Sequence, residues 1–231
     1  MNENKAEEMI LEHVSLTQKG PEETQVLFDD LNLRIGGGEL IALCGPSGSG
    51  KSTLLQLMAG FRKPDAGRVF WGETDLALLA GQKRRQFWNR VTGFAYQDYR
   101  LIPAFSAVEN VMVPLLCGGM PKGQAYAAAM DMLQKVNLQE KAAQKPPSLS
   151  GGEQQRTAFA RALVCRPALV LADEPSANLD RDNASVVWSL LEEMHRDGST
   201  VIVSTHDPAA CKRAAVIYLK TESGHSVPEW I

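Results

Sequence analysis

Three short runs of mostly apolar residues stand out in a chain whose other segments mix apolar and polar positions. They cover residues 40–44, 168–172 and 201–205. Runs of this length that are bounded by turns are typical of strands buried on both faces of a parallel sheet. The pattern therefore predicts an α/β fold with a mainly parallel sheet at its centre.

The first hundred residues add a helix and a second sheet to this picture. Residues 52–61 are predicted to form a helix that Gly60 closes, followed by a turn and a short strand within residues 63–71. Two alternating segments, 13–16 and 27–35, flank a polar loop near the N-terminus. This alternation predicts a small antiparallel sheet that packs against the core.

The middle of the chain changes to apolar residues at helical spacing. Helices are predicted at 107–116, 124–136 and 151–165. Pro146 and Pro147 precede the last of them and predict an extended entry to it, because the residue before a proline is biased away from helical geometry. These helices indicate a helical lobe inserted into the α/β core.

The chain is predicted to be a single domain, because it contains no internal repeat, heptad run or low-complexity tract. The core lobe is expected to comprise about residues 1–97 and 157–231, and the helical lobe about residues 98–156.

A phosphate-binding loop follows the first predicted buried strand. The pattern G-x-x-x-x-G-K-[ST] is met by Gly45, Pro46, Ser47, Gly48, Ser49, Gly50, Lys51 and Ser52. Amides of such a loop surround phosphate oxygens, the lysine adds positive charge and the final hydroxyl offers a magnesium ligand. The helix that follows directs the positive end of its dipole to the same place. The pattern alone arises by chance in about one of a hundred such chains.

The other two buried strands also end at residues with chemical potential. Asp173 and Glu174 follow residues 168–172, and His206 follows residues 201–205. Ligands of parallel sheets gather at the carboxyl ends of the strands, so these side chains are predicted to share a site with the phosphate loop. The alternative is an acidic pair that starts a surface loop, but a buried strand end is an unfavourable place for unpaired charge.

Composition narrows the class of protein. With 231 residues and a formal net charge of -3, the chain has no global basic footprint for nucleic acid. The basic run Lys83, Arg84 and Arg85 is interpreted as a solvated helix face. The four cysteines lack metal-type spacing, and residues 1–8 are too polar for a secretory signal, so a reducing cytoplasm is expected. No apolar run approaches the roughly 20 residues of a membrane-spanning helix, so any membrane path belongs to another chain.

A second diagnostic stretch, Leu149-Ser150-Gly151-Gly152-Glu153-Gln154-Gln155-Arg156, resembles the signature of ABC ATPases. The chain resembles the nucleotide-binding subunits of ABC transporters from about residue 9 to residue 219, with every diagnostic element in the family's order. The elements are the Walker A loop at 45–52, the Q-loop at Gln97, the signature at 149–156, Walker B at 169–174, the D-loop at 176–180 and the switch histidine His206. The implied fold is a P-loop NTPase of ABC type.

The resemblance implies a role for each matched residue. Lys51 is expected to contact the β- and γ-phosphates of ATP, Glu174 to act as general base on water, and His206 to contact the γ-phosphate. Thr53 extends the phosphate-binding set. Magnesium is expected to be bound by Ser52, by Asp173 through water, and by Gln97, which links the site to the helical lobe.

The signature residues are expected to act on a second copy of the chain. In the family, a serine and glycines at the positions of Ser150, Gly151 and Gly152 bind the γ-phosphate of ATP held by the opposite subunit. Asp180 is expected at the same interface, communicating between the two sites. The local alternative is that Ser-Gly-Gly is only a helix cap, which explains the residue types but not the whole string.

Recognition of the base departs from the family pattern. Many relatives carry an aromatic residue that stacks on adenine, where this chain has Thr17. Either stacking is weak, or another residue such as Phe28 substitutes, or the alignment is shifted. We hypothesise relaxed selectivity between ATP and GTP.

Residues 99–111 are similar to the lipoprotein-release, macrolide-export and FtsE-type ATPases. The resemblance implies an ATP-hydrolysing subunit that energises a membrane transporter or a mechanotransmission complex. It also implies an integral-membrane permease as partner and a peripheral location at the cytoplasmic face of the inner membrane. Leu101, Ile102, Phe105 and Val108 are candidates for the groove that receives the permease, although the lobe's own core would use the same residue types.

Two other functions agree less well with the sequence. A soluble ABC ATPase acting on nucleic acid or ribosomes would be expected to carry tandem ATPase units or long coiled-coil insertions, and neither is found. A P-loop kinase or GTPase leaves residues 149–156 unexplained. No nucleic acid is therefore expected as a partner, and the transported substrate is not encoded in this chain.

Overall fold

The computed structural model of the protein describes residues 7–19, 24–177, 179–207, 210–222 and 224–231. An antiparallel sheet of four strands lies on one side of it. Its strand order is β2-β1-β4-β5, with β1 at Met9–Lys19, β2 at Thr24–Ile35, β4 at Ala66–Trp71 and β5 at Thr74–Asp75. The predicted N-terminal sheet is confirmed, although β1 and β2 extend beyond the predicted segments.

The central sheet confirms the three buried strands. Among the described residues its order is β10-β9-β3-β8-β7-β6, and it is parallel from β9 to β6. The strands are β3 at Leu40–Cys44, β6 at Thr92–Ala95, β7 at Leu169–Asp173, β8 at Thr200–Ser204, β9 at Ala215–Glu222 and β10 at His225–Trp230. Every residue of β3, β7 and β8 is buried, as a strand covered on both faces requires.

The helices lie on both sides of this sheet. They are α1 at Lys51–Met58, α2 at Gly81–Gln86, α3 at Ala107–Cys117, α4 at Lys122–Lys135, α5 at Gly151–Leu163 and α6 at Arg181–Arg196. Helix α1 ends three residues before the predicted limit, and Gly60, with φ +65°, follows as the predicted terminator. Helix α5 also ends earlier than predicted. The basic run of α2 has Lys83 and Arg85 exposed, as a solvated face requires.

The apolar side chains form two clusters, one on each face of the central sheet. Leu169 and Leu171 belong to the cluster between the sheet, α1 and the antiparallel sheet, whereas Val170 and Ala172 belong to the cluster formed with α3 to α6. This alternation is the two-residue period of a strand. The cluster that contains Val170 and Ala172 therefore joins the helical lobe to β7, the strand that carries Asp173.

Two features of the lobe differ from simple expectation. Pro146–Ser148 is a short 3₁₀ turn rather than an extended entry, because Pro146 occupies the first helical position, where a missing N–H has no cost. Helix α5 runs without a break through residue 156, so the predicted limit between lobe and core falls within one helix. The limits of the two lobes stay a prediction.

Candidate nucleotide-binding site

The phosphate loop connects β3 to α1 in a conformation that depends on its glycines. Gly45, Gly48 and Gly50 have φ values of +147°, +80° and +84°. A Cβ atom on Gly45 would lie 2.8 Å from the Leu219 carbonyl oxygen, and one on Gly50 would lie 2.9 Å from the Phe28 ring. Side chains at these two positions would therefore deform the loop, in addition to straining its backbone.

The Lys51 ammonium lies inside the curve of the loop. Its Nζ donates hydrogen bonds to the carbonyl oxygens of Gly45 at 2.9 Å and Pro46 at 3.0 Å. The Ser49 amide also donates to the Pro46 carbonyl, at 3.2 Å, and closes the turn. A single positive charge is thereby held at the start of a helix, where amide groups point outward for an anion.

Asp173 and Glu174 form the opposite wall, and Ser204 connects them. The Ser204 hydroxyl donates to Asp173 Oδ1 at 2.6 Å and accepts from the Glu174 amide at 3.0 Å. Ser204 is completely buried at the end of β8. Sequence reasoning did not single out this serine, although a hydroxyl at the end of an apolar run was a usable signal. It fixes both carboxylate-bearing residues relative to the neighbouring strand.

Glu174 and His206 are in direct contact. His206 Nδ1 lies 2.9 Å from Glu174 Oε2, and the two side chains differ in exposure, 72% for the histidine and 14% for the glutamate. Glu174 has φ +47°, which is sparsely populated for a residue with a side chain. The Glu174 carboxylate is thus held at a strained strand end, with the largely exposed His206 imidazole on its solvent side.

A cleft of about 490 Å³ brings most of the predicted residues together. Its lining comprises Ser47, Gly48, Gly50, Lys51, Ser52, Thr53, Gln97, Asp173, Glu174 and His206, together with Gln18, Gln25, Leu27 and Ala177. Of the last four, Gln18, Gln25 and Leu27 were not predicted to lie there, and Ala177 belongs to the predicted D-loop. Gly45, Pro46 and Ser49 shape the loop without lining the cleft, and Ser49 is buried.

The signature residues lie outside this lining. Ser150 caps α5: its Oγ accepts from the Glu153 amide at 3.3 Å, and its own amide donates to Glu153 Oε2 at 2.8 Å. These bonds lower the pKa of Glu153. Ser150 and Gly151 remain exposed. The helix-cap interpretation is correct locally, and the exposed start of α5 is available to a ligand that its own chain does not hold.

Asp180 also caps a helix. Its Oδ1 accepts from the Asn183 amide at 2.8 Å, which lowers the pKa of the Asp180 carboxyl. Asp180 is exposed and, like the signature, does not line the cleft. Asn178, in the middle of the predicted D-loop, lies outside the described residues.

Beyond its exposed start, α5 also contacts the backbone of Glu174 in its own chain. Gln155 is 4% exposed, and its Nε2 donates to the Glu174 carbonyl oxygen at 3.2 Å. A buried side chain of the signature helix therefore holds the backbone of the strained glutamate. No pattern in the sequence indicates this contact, because it depends on how α5 packs against the central sheet.

The position expected to carry an adenine-stacking ring is occupied differently. The amide and hydroxyl of Thr17 both donate to Asp65 Oδ2, at 2.7 Å and 2.8 Å, which lowers the pKa of Asp65. Phe28 is fully buried beneath Gly50, so the suggestion that it substitutes as the stacking residue is wrong. Phe28 supports the phosphate loop instead.

Comparison with known proteins decides the family. The model of the family described as ABC transporter matches residues 28–177. The chain belongs to the ABC transporter family. As an ABC ATPase, it is an ATP-binding and ATP-hydrolysing subunit that energises a membrane transporter.

Two curated relatives of this ABC ATPase carry the same name. The lipoprotein-releasing system ATP-binding protein LolD of Saccharophagus degradans is 45% identical over 207 residues, which cover 89% of this chain and 90% of the relative. The protein of that name from Legionella pneumophila is 46% identical over 184 residues, covering 79% and 81%.

Solved structures confirm the ABC fold. A dimeric, post-hydrolysis structure of the ATP-binding cassette MJ0796 bound to ADP and Pi superimposes with a TM-score of 0.88 and 36% identity, covering 94% of this chain and 96% of that one. A second dimeric structure of MJ0796, described as a bacterial ABC transporter cassette, gives the same values.

The predicted magnesium ligands of the ABC ATPase fit that ion. Ser52, Gln97 and Asp173 all line the cleft and offer a hydroxyl, an amide and a carboxylate oxygen. Magnesium prefers such oxygen ligands and keeps several waters, so a site with one carboxylate suits it. Within the described part of the chain, no three or more His, Cys, Asp or Glu side chains are grouped so that they could hold a metal ion.

The segment after Gln97 is fixed to the signature helix. Arg161 of α5 donates to the carbonyl oxygens of Tyr99 at 2.8 Å and Arg100 at 2.7 Å. Burial lowers the pKa of Arg161, and both of its carbonyl partners have positive φ. The loop that leaves the cleft is therefore held in an unusual conformation by the helical lobe of the ABC ATPase.

The candidate groove residues separate into two kinds. Val108 is buried in the lobe's core, whereas Phe105 is 41% exposed and Leu101 and Ile102 are half-buried. At the end of β6 lies a cluster of the rings of Phe61, Trp88, Phe94 and Tyr96, with the Arg100 guanidinium 4.1 Å above Tyr96. In the described residues no helix is long and apolar enough to cross a membrane.

Proposed function

We propose that this chain is the ATPase subunit of a lipoprotein-release type transporter, acting as a homodimer with ATP between the subunits and bound to an integral-membrane permease. The observation that carries the proposal is the division of the ABC motifs: one cleft collects the phosphate loop, Gln97, Asp173, Glu174 and His206, and leaves the signature outside. Each subunit therefore holds one part of two different sites.

Hydrolysis follows from the residues of the cleft. Lys51 and the loop amides bind the phosphates and neutralise their charge. Glu174 accepts a proton from the attacking water at its carboxylate, and His206, 2.9 Å away, orients that carboxylate towards the γ-phosphate. Ser204 holds Asp173 and Glu174 in register. Mg²⁺, bound by Ser52, Gln97 and Asp173, would supply further positive charge to the phosphates.

The second copy completes the site. Ser150, Gly151 and Gly152 are at the exposed N-terminus of a 13-residue helix, whose dipole favours an anion. Turned head to tail, two chains would each present this terminus to the γ-phosphate on the other, with Asp180 at the interface. The MJ0796 cassette in its ADP and Pi state is a dimer, which supports this arrangement.

The permease is proposed to dock beside the loop that follows Gln97. Phe105 is exposed in the segment after this loop, and Phe61, which stacks on Tyr96 just before Gln97, is also exposed. The names of the LolD relatives support lipoprotein release as the transported process. The protein would then be peripheral, at the cytoplasmic face of the inner membrane. No observation favours nucleic acid or ribosomes as the partner.

Copurification with matched variants tests this proposal. Tagged protein extracted in detergent is expected to bring down an integral-membrane protein that changes its ATPase rate. Phe105→Glu should lower the recovery at least about tenfold by placing charge in an apolar contact. Trp230→Glu is the control, because Trp230 is also half-exposed but lies on β10, at the opposite edge of the central sheet from β6. Equal recovery with both variants, or recovery of ribosomes or nucleic acid instead, contradicts the proposal.

Base selectivity is expected to be weak. Because Thr17 is bound to Asp65 and Phe28 is buried, we expect ATP and GTP to bind with affinities within about tenfold of each other. Competition against a fluorescent nucleotide measures this ratio. Thr17→Tyr should favour ATP by adding a stacking surface, whereas Thr17→Val removes the hydroxyl bond without adding a ring. A large preference for ATP in the unmodified protein contradicts the expectation.

A further inference from the structure

Two cysteines far apart in the sequence meet directly beneath the phosphate loop. The sulfur atoms of Cys44 and Cys211 lie 3.0 Å apart, across a sequence separation of 167 residues. A disulfide bond has a length of about 2.05 Å, so the sulfurs are about 1 Å from bonding distance. Both cysteines are free thiols in the structure. The ATPase mechanism uses neither of them.

The pair joins two elements that the nucleotide site depends on. Cys44 is the last residue of β3 and precedes Gly45, the first residue of the phosphate loop. Cys211 belongs to a 3₁₀ turn, Ala210–Lys212, which packs against β3 and β9. Cys211 lies five residues after His206 in the sequence. A bond between the sulfurs would tie the segment that carries the switch histidine to the strand that carries the loop.

We propose that Cys44 and Cys211 are a site of reversible covalent modification, which forms an intramolecular disulfide on reaction with a low-molecular-weight disulfide such as oxidised glutathione. The bond would lower ATP turnover by restraining His206 against the phosphate loop.

The two thiols have different accessibility, which sets the order of reaction. Cys44 is buried, whereas Cys211 is partly exposed. Burial and the contact with Cys211 raise the pKa of the Cys44 thiol to about 12. Cys211 is therefore the thiol that first meets the oxidant.

The chemistry is a balanced exchange. The Cys211 thiolate attacks one sulfur of glutathione disulfide, and one glutathione leaves as a thiolate and takes up a proton. The Cys44 thiolate then attacks the Cys211 sulfur of the mixed disulfide, and the second glutathione leaves in the same way. Two protein thiols are oxidised, and one small disulfide is reduced to two thiols. Dithiothreitol reverses the sequence.

The effect on hydrolysis follows from the geometry of the wall. His206 contacts Glu174 at 2.9 Å, and drawing the sulfurs together by about 1 Å would shift Cys211, which follows His206 by five residues in the sequence, towards β3. Displacements of about 1 Å in a catalytic constellation reduce rates by up to about 10²-fold. A tenfold or larger loss of turnover is therefore expected, with little change in ATP binding, because Lys51 and the loop amides stay in place.

The experiment uses the full chain with oxidised glutathione and then with dithiothreitol. Non-reducing proteolysis and mass spectrometry should yield a peptide linked through Cys44 and Cys211, and ATP turnover should fall at least about tenfold and recover on reduction. Cys211→Ser and, independently, Cys44→Ala should keep their turnover in oxidant. A Cys117→Ser/Cys165→Ala variant should stay sensitive, since it retains the pair.

Three results would overturn the proposal. The first is the absence of the Cys44–Cys211 peptide after oxidation. The second is a disulfide-linked protein that hydrolyses ATP as fast as the protein with free thiols. The third is an equal loss in the Cys211→Ser and Cys44→Ala variants, which would place the sensitive group elsewhere. The linked peptide is detected without any permease, so failure of the proposed transporter role does not affect this readout.

Discussion

Replacing Glu174 with glutamine is expected to lower ATP turnover by about 10² to 10⁴-fold, the range for loss of a general base. Glutamine keeps the shape of the side chain but does not accept a proton from water. ATP binding should stay close to normal, because Lys51 and the loop amides are untouched. The protein should accumulate as an ATP-bound dimer, since hydrolysis is what reopens it. Phosphate release and size-exclusion chromatography with Mg-ATP measure the two effects.

The control for this variant is Glu140→Gln, which makes the same chemical change at an exposed position in the helical lobe. It should behave like the unmodified protein in both assays. Turnover of Glu174→Gln within a few-fold of normal would remove Glu174 from the role of base. A variant that is inactive but stays monomeric at every ATP concentration would contradict the dimer model, while leaving the role of the glutamate intact.

Two inactive variants are expected to restore activity when they are mixed. Lys51→Ala loses the phosphate-binding charge, and Gly152→Asp places a carboxylate where the signature meets the partner's γ-phosphate. Each alone should lose at least about 10²-fold in turnover, because both sites of its dimer are damaged. A mixed dimer has one site with both defects and one with neither. Random pairing should therefore recover up to about a quarter of normal turnover.

The mixing experiment separates a shared site from a self-contained one. If each chain carried a complete site, the mixture would stay as inactive as its components. The control is a mixture of Lys51→Ala with Glu174→Gln, in which both defects lie in the cleft that one chain forms by itself, so that every possible dimer keeps two damaged sites. Recovery in that control would show that the assay measures something other than assembly of a site.

The parts of the site that the sequence predicted are those fixed by local chemistry. A glycine-rich loop between a buried strand and a helix has few possible conformations, and the positive φ values of Gly45, Gly48 and Gly50 explain why these residues are glycine. Asp173 and His206 were found because parallel strands end at one edge of the sheet. The apolar runs therefore predicted both which residues stand at the strand ends and that these residues lie in one site.

The parts that it missed depend on packing between distant segments. Ser204 was taken only as the end of an apolar run, and its bond to Asp173 depends on the register of β7 and β8. Phe28 was considered for adenine because it is aromatic, but it lies beneath Gly50. The approach of Cys44 to Cys211 arises from the packing of the turn Ala210–Lys212 against β3 and β9. None of these contacts has a periodic signal in the chain.

The hydrogen bond from Gln155 to the Glu174 carbonyl links events at opposite ends of the proposed dimer. The start of α5 would contact the nucleotide that is bound by the other subunit. Gln155, on the next turn of α5, holds Glu174, the proton acceptor in the cleft of its own subunit. A helix is stiff along its axis, so a displacement of the start of α5 would reach Gln155. Closure around the nucleotide at one site would therefore change how Glu174 activates water at the other site. ATP hydrolysis at the two sites of the dimer would then be coupled through the protein rather than independent. The two sites would hydrolyse ATP alternately or cooperatively.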